Sequence, residues 1–273
     1  MAGSLKLQAV VLRTVDHGES DRVVTLLARG HGKLAAFARA ARASRKRFGG
    51  ALEPFTLLTA ELSGRVGGER LLRLESVACE RSFPAIRGDL ARIACAAYAV
   101  ELARELTRDH EPHEELFDLL VDFLSRLDGG PARPAMLRAF ELLALGATGF
   151  QPRLDACARC GAALPQGAVA FGPADGGLLC ARCAGSAGSA GRAECGAGAG
   201  QSGPAPGRVL LSEAGLAALR RLQAGGLAAG EAALEPGAAR ESKEVLERFL
   251  EHVLGHRLKA RRFLDEVGPL LGS

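Results

Sequence analysis

The chain has 273 residues, of which 48% are hydrophobic, and a formal net charge of +4. This length and composition predict two domains with hydrophobic cores and exclude a chain that is disordered throughout. Neither the first residues nor any later run is apolar enough for a secretion signal or a membrane span, so we expect a soluble, cytoplasmic protein. The positive charge is concentrated in residues 1–83, which hold 14 basic and 8 acidic residues.

The N-terminal 83 residues predict a small all-β domain. Five short apolar segments, rich in β-branched or alternating residues, are separated by polar turns. The predicted strands cover residues 7–15, 22–28, 33–38, 55–62 and 71–77. Five strands in a domain of this size suit a small closed barrel, most commonly the oligonucleotide-binding barrel. An SH3-like barrel would fit the same pattern.

A strongly cationic connection follows the third predicted strand. Five Arg or Lys side chains lie between Arg39 and Arg47, and the sequence holds no acidic residue between Arg22 and Glu53. Cations beside an aromatic ring suit a single-stranded phosphate backbone, because the cations release counterions and the ring stacks on a base. Phe48 is either that ring or a core residue. The other interpretation of the cations is a solvated surface loop.

From Phe83 onward the spacing of apolar residues becomes helical. Residues 90–106, 116–127 and 134–147 predict three amphipathic helices, of which the third begins at Pro134 and ends before Gly149. Two further helical patterns begin at Ser212 and near Arg240. We expect these segments, in residues 84–154 and 209–273, to form one helical bundle that an inserted segment interrupts.

The inserted segment contains four cysteines in two close pairs. Each pair has a two-residue spacer, which lets both sulfur atoms point to one metal ion, as in tetrahedral zinc sites. The pairs are Cys157 with Cys160 and Cys180 with Cys183. A turn at residues 175–177 predicts a β-hairpin between them, and hence a zinc ribbon over residues 155–184. Four thiolates leave no open coordination position, so the zinc would be structural. Two redox-active pairs or two disulfides are the alternative.

The three remaining cysteines have simpler interpretations. Cys79 and Cys95 lie among apolar residues and are expected to be buried thiols. Cys195 falls in residues 185–208, whose Gly, Ala and Ser content predicts a mobile linker, and it would be an incidental exposed thiol.

Signatures of catalysis are missing from the sequence. The chain has no phosphate-binding Gly-x4-Gly-Lys-Ser/Thr loop, no His-Glu-x-x-His and no Gly-x-Ser-x-Gly motif, and no compact acidic cluster of the kind that a metal-dependent nuclease needs. We therefore expect a binding protein. One hypothesis is a nucleic-acid-binding repair protein, and the alternative is a zinc-ribbon adaptor that contacts RNA or a protein partner.

Several short motifs follow one another along the chain: Gly18-Glu19-Ser20-Asp21-Arg22, Gly32-Lys33, Arg42-Ala43-Ser44-Arg45, Leu52-Glu53-Pro54-Phe55, Gly149-Phe150-Gln151-Pro152 and Asp175-Gly176-Gly177. In these motifs and in the order of its parts, the chain resembles the RecO family of bacterial recombination mediators. The main departure is the Gly/Ala-rich stretch of residues 185–207, which is longer than the family usually shows.

The resemblance implies an α+β protein with an N-terminal oligonucleotide-binding barrel, a helical bundle and an inserted four-cysteine ribbon that holds one structural Zn²⁺ ion. It implies a nucleoid-associated, non-catalytic protein that binds single- and double-stranded DNA and anneals complementary strands. Its expected partners are RecR, RecF in some species, the RecA recombinase, and the acidic tail of single-strand-binding protein.

The resemblance also assigns residues to these roles. Zinc falls on Cys157, Cys160, Cys180 and Cys183. Contact with DNA falls on Lys33, Arg39, Arg42, Arg45, Lys46 and Arg47. For the acidic tail, the basic cluster Arg257, Lys259, Arg261 and Arg262 is a candidate, and a basic helix end favoured by the helix dipole is the other explanation.

Overall fold

A computed structural model describes residues 4–66, 71–185 and 207–268. Cys195 and almost all of the predicted linker lie outside the described residues. The strands are β1 Ser4–His17, β2 Asp21–Ala28, β3 Gly32–Ala38, β4 Leu57–Ser63, β5 Leu72–Arg81, β6 Val169–Gly172, β7 Gly177–Leu179 and β8 Val209–Leu211. The helices are α1 Arg45–Phe48, α2 Pro84–Arg87, α3 Leu90–Leu106, α4 Glu114–Gly129, α5 Pro134–Ala147, α6 Ala181–Gly185, α7 Glu213–Ala229, α8 Pro236–Leu254 and α9 Ala260–Val267.

The described residues form an α+β protein whose first five strands close into a barrel. The strand order around the barrel is β1-β2-β3-β5-β4, and β4 returns to pair with β1. All pairs are antiparallel except β3 with β5. This confirms the prediction of a small five-stranded barrel.

Alternation along each strand builds the barrel core. Side chains point to opposite faces of a strand in turn, so every second residue lies inside. Leu58, Ala60 and Leu62 of β4 are fully buried, as their spacing predicts, and Leu72 and Leu74 of β5 lie in the same core. The inside of the barrel is therefore packed with side chains.

The connection after β3 completes this core. It forms the short helix α1, which the sequence pattern did not predict, and Phe48 at the end of α1 is only 3% exposed within the barrel core. Phe48 is therefore a core residue, and the hypothesis that it stacks on a base is wrong.

The predicted burial of Cys79 is also wrong. Cys79 is exposed, because β5 is longer than predicted and its last residues, 78–81, all lie outside the core. Cys95 is buried, as predicted.

The chain divides into two compact units, each with its own core. The first is Met1–Ala132 with Leu258–Leu271, and it joins the barrel to α2, α3, α4 and α9. The second is Arg133–Arg257 with Gly272–Ser273. In the second unit α5, α7 and α8 pack on one another beside a small sheet of order β7-β6-β8. Within the described ranges, no helix is long and apolar enough to cross a membrane.

The third strand of the small sheet was not predicted. Residues 169–172 and 177–179 form the predicted hairpin, but β8 comes from the chain beyond residue 206 and pairs antiparallel with β6. A run of only three apolar residues, Val209–Leu211, is too short to identify a strand from periodicity.

Candidate metal centre and nucleic-acid surface

The four paired cysteines meet at one point in the second unit. Their Sγ atoms all lie within 4.8 Å of one another, and those of Cys160 and Cys180 are 3.8 Å apart. Cys157, Cys180 and Cys183 are buried, whereas Cys160 is exposed. In the described part of the chain, this is the one group of three or more potential ligands close enough to hold a metal ion.

Two tight backbone turns position the sulfur atoms. The N–H of Gly161 donates to the carbonyl oxygen of Cys157 (2.9 Å), and Gly161 has a φ of 74°, which a residue without Cβ adopts at little cost. In the second pair the N–H of Ala184 donates to the carbonyl oxygen of Cys180 (2.8 Å), as α6 begins there. Both turns therefore fold two cysteines toward the same side.

The pKa values of Cys157 and Cys183 shift in opposite directions, because the site stabilises the thiolate of Cys157. Burial disfavours the Cys157 thiolate, but hydrogen bonds from the backbone N–H groups of Cys180, Cys160 and Arg159 outweigh burial and lower the pKa of Cys157 to about 6. Burial, followed by the neighbouring thiols, raises the pKa of Cys183. Several thiolates this close together repel one another unless a cation lies between them. The donor set is therefore suited to a bound metal cation.

An ion pair that the sequence analysis missed connects the first cysteine pair to the hairpin turn. The Arg159 guanidinium donates to Asp175 Oδ1 from both Nε (3.0 Å) and an Nη atom (2.7 Å), and both side chains are mostly buried. This pairing raises the pKa of Arg159. The signal in the sequence is an arginine inside one cysteine pair and an aspartate at the turn before the other.

We call the first part of the connection after β3, Arg39–Arg47, the basic loop. Hydrogen bonds to residues outside the loop hold its backbone in place. Ala40 has a φ of 52°, and its N–H donates to Asp21 Oδ1 (2.7 Å). The N–H of Arg42 donates to the carbonyl oxygen of Ser20 (3.0 Å). These bonds join the loop to the turn between β1 and β2, so its backbone is fixed against the barrel rather than forming an irregular connection.

The predicted DNA-contacting residues of the basic loop differ in their surroundings. Arg39, Arg42 and Lys46 are exposed on the basic loop. Arg47 instead holds the loop together: its guanidinium donates to Ser44 Oγ (3.1 Å) and to the carbonyl oxygen of Arg39 (2.6 Å), and it lies 4.9 Å from the centre of the Phe48 ring. Arg45 begins α1.

Lys33 lies apart from this surface, at the end of a helix. Its Nζ donates to the carbonyl oxygens of Thr107 (2.7 Å) and Arg104 (3.1 Å) and lies 3.4 Å from Asp109 Oδ1. Its side chain is only 19% exposed. A cation at the C-terminus of α3 satisfies carbonyl groups that have no partner within the helix. The structure therefore gives Lys33 a structural contact that competes with its predicted contact with DNA, and that contact stays a prediction.

The C-terminal basic residues are largely paired with acidic ones. Arg261 pairs with Asp265 (3.2 Å) and Arg262 with Glu266 (3.1 Å), each one turn further along α9. Arg257 pairs with Glu251. These pairs offset the positive charge that was predicted to attract an acidic tail.

Comparison with known proteins gives matches over almost the whole chain. A family model described as "Recombination protein O N terminal" matches residues 1–83, and one described as "Recombination protein O C terminal" matches residues 87–262. A DNA repair protein RecO from Anaeromyxobacter sp. (strain K) is 60% identical over 271 residues, covering 98% of this chain and 99% of the relative.

More distant relatives carry the same name. The DNA repair protein RecO of Myxococcus xanthus (strain DK1622) is 45% identical over 260 residues, covering 95% of this chain and 96% of the relative. That of Syntrophus aciditrophicus (strain SB) is 36% identical over 267 residues, covering 96% and 95%. With matches to both family models and relatives of full length, the chain belongs to the RecO family of DNA repair proteins.

Proposed function

We propose that this protein binds single- and double-stranded DNA and anneals complementary strands without catalysing a reaction. We further propose that, with RecR and RecF, it helps to load RecA onto strands coated by single-strand-binding protein. The observation that carries the proposal is the group of exposed cations on a loop fixed against the barrel. Membership of a DNA repair family supports it, and a cytoplasmic, nucleoid-associated location would follow.

The barrel is proposed to be of the oligonucleotide-binding type. That fold is a five-stranded Greek-key barrel whose β2–β3 face and loops bind nucleic acids. The strand order here is β1-β2-β3-β5-β4, and β3 is parallel to β5. After β3 the chain therefore crosses to β4, and β5 then fills the position between β3 and β4. The basic loop is the first part of that crossing, which covers residues 39–56.

Electrostatic attraction to phosphate groups is the proposed source of affinity. Arg39, Arg42 and Lys46 would neutralise phosphates and release counterions, which binds DNA of any sequence. Arg45 is proposed to join them from α1. Arg47 would act indirectly, by holding the loop that carries these side chains. Contacts confined to the backbone leave base edges available for pairing, which annealing requires.

The metal is proposed to be one structural Zn²⁺ ion. Zinc bound by four sulfur atoms at about 2.3 Å in a tetrahedron requires neighbouring sulfur atoms to be about 3.8 Å apart, and the Sγ atoms of Cys160 and Cys180 are at 3.8 Å. When bound, the ion would balance the thiolate charge and fix the two cysteine pairs together. Among the residues that the structure describes, only these four cysteines form the group, so the ion would have no open position for a reaction.

The experiment that tests DNA annealing compares the wild type with the triple variant Arg39→Ala, Arg42→Ala and Lys46→Ala. Two complementary oligonucleotides, coated with single-strand-binding protein, are mixed with each protein across a salt series. We expect the wild type to accelerate annealing less as salt rises, and the triple variant to bind more weakly with a salt dependence lower by about 0.7 per lost phosphate contact on single strands.

The control is Arg248→Ala, which removes an exposed, paired cation of α8, outside both the basic loop and the C-terminal basic cluster. It should leave annealing unchanged. Equal annealing by the triple variant and the wild type would overturn the assignment to the basic loop. A wild type that does not anneal, and that prefers RNA to DNA in competition, would replace the proposal with an RNA-binding adaptor.

A further inference from the structure

The outer surface of the barrel carries an apolar face that no part of the proposed function yet uses. Val15, Val23 and Phe37 lie side by side across β1, β2 and β3, since Val15 pairs with Val23 and Val23 with Phe37. They occupy outward positions of strands whose alternate residues fill the core. His17 lies beside them, with its ring 5.6 Å from that of Phe37 at an interplanar angle of 81°. We call these four residues the stacking face.

The stacking face is accessible. Val15 is 42% exposed, His17 is exposed, and Val23 and Phe37 are half-buried. Large apolar residues on a barrel are usually covered by other parts of the protein. A cluster of them that stays exposed marks a binding surface. The edge contact from His17 also holds the Phe37 ring in a fixed orientation.

Cations surround this face. Arg73 of β5 is the register partner of Phe37, and its side chain, 53% exposed, also pairs with Glu75 at 3.3 Å. Arg13 is exposed on β1, and Arg39 follows Phe37 by two residues. The nearby carboxylates are engaged: Asp21 accepts the N–H of Ala40, and Asp16 pairs with Arg22 at 3.0 Å. An apolar face edged by cations is complementary to a ligand with flat apolar surfaces and a negative backbone.

The opposite side of the barrel has a different character. On β4 and β5, Glu61 and Glu80 are exposed and accept hydrogen bonds from Ser76 and Thr59. A polyanion would be repelled there. The charge distribution therefore directs a nucleic acid to β1–β3.

We propose that the stacking face binds unpaired bases of single-stranded DNA, with Phe37 as the ring on which a base stacks. This inference rests on the proposed DNA binding. It adds a reason for the protein to bind single strands more tightly than duplexes. In a duplex the faces of the bases are already stacked on one another, so Phe37 would gain nothing from duplex DNA. Cations bind both forms, but a ring distinguishes them.

The test compares Phe37→Leu, which keeps an apolar side chain but removes the ring, with Phe37→Tyr, which keeps the ring. Affinity for a single-stranded oligonucleotide and for a duplex of equal length is measured for each purified full-length chain over several salt concentrations. We expect Phe37→Leu to weaken single-strand binding about 10-fold, since one base stacked on an aromatic ring commonly contributes that much. Duplex affinity and the salt dependence should not change, because no phosphate contact is lost.

Base stacking is measured directly with an oligonucleotide that carries the fluorescent base 2-aminopurine, because the emission of this base falls when it stacks. Emission should fall on binding to the wild type and to Phe37→Tyr, but not on binding to Phe37→Leu. Phe150→Leu is the matched control, because Phe150 is 45% exposed in the second unit. This variant should behave as the wild type does. His17→Ala, at an exposed position, should give a smaller loss of single-strand affinity than Phe37→Leu.

The outcomes separate the two proposals. If the wild type binds single strands and Phe37→Leu binds and quenches equally well, the stacking face is wrong and the proposed DNA binding stands. Equal weakening of single-strand and duplex binding by both Phe37→Leu and His17→Ala would also overturn it. If the wild type binds no DNA, both proposals fail.

Discussion

Lys33 and Lys46 show how one kind of side chain can occupy two different environments. Both belong to the positive N-terminal region, and the family resemblance assigns both to DNA. Lys46 is exposed on the basic loop, whereas Lys33 reaches the carbonyl oxygens of Arg104 and Thr107 at the end of α3. The position of Lys33 next to the C-terminal end of α3 distinguishes them.

This difference gives a prediction at the scale of single residues. Lys33→Met should lower the free energy of unfolding by about 1–3 kcal/mol, because two carbonyl groups lose a charged donor. Lys46→Met should change stability by less than about 0.5 kcal/mol, as substitutions on an exposed surface usually do. Urea denaturation of both variants measures these values.

DNA binding should respond in the opposite way. Lys46→Met should reduce the salt dependence of single-strand binding by about 0.7, the effect of one phosphate contact, and folded Lys33→Met should leave it unchanged. A stable Lys33→Met protein with a reduced salt dependence would return Lys33 to the DNA-binding surface.

At the scale of an element, α9 depends on a residue far away in sequence. Glu101 of α3 accepts the N–H of Lys259 (3.2 Å) and of Ala260 (2.6 Å), so its carboxylate caps the first turn of α9. Its side chain is 11% exposed. A carboxylate at a helix N-terminus satisfies free N–H groups and interacts favourably with the helix dipole.

Glu101→Ala should therefore destabilise the attachment of α9. We expect a loss of about 0.5–2 kcal/mol in the free energy of unfolding, the usual effect of removing an N-terminal cap, with faster amide hydrogen exchange across residues 260–267. Glu266→Ala is the control, because its pair with Arg262 is exposed at both ends and such pairs contribute less than about 1 kcal/mol. Identical exchange in the two variants would argue against the cap.

At the scale of the whole molecule, the metal centre and the basic loop belong to different compact units. All four cysteines lie in the second unit, and Arg39–Arg47 lie in the first. Cores that are separate can unfold in separate transitions. Metal binding stabilises the unit that holds the site, because the folded state binds the ion more tightly than the unfolded chain does.

Removal of the metal should therefore affect the two units unequally. Treatment with a chelator, or Cys157→Ser, should lower the melting temperature of one calorimetric transition while the affinity for DNA at low temperature stays close to that of the wild type. Metal content measured on the same samples checks that the ion was lost. A melting profile that does not change, together with lost DNA binding, would contradict a structural role for the metal.

The sequence by itself determined the features that depend on local spacing. Alternating residues such as Leu58, Ala60 and Leu62 specify a strand with one face in the core, and two cysteine pairs with short spacers specify a group of thiols that could hold a metal ion. Pro134 and Gly149 bound a helix because each restricts or permits particular backbone angles. These signals act over a few residues, so they can be identified before the chain folds.

The tertiary structure decided what depends on residues far apart in the chain. Lys33 contacts the end of α3, Glu101 caps α9, and Phe48 packs in the barrel core. β8 pairs with β6, although it follows residues 186–206 in the chain. The row of Val15, Val23 and Phe37 likewise exists only in the register of three strands. Such contacts arise from packing and register, which composition and periodicity do not encode.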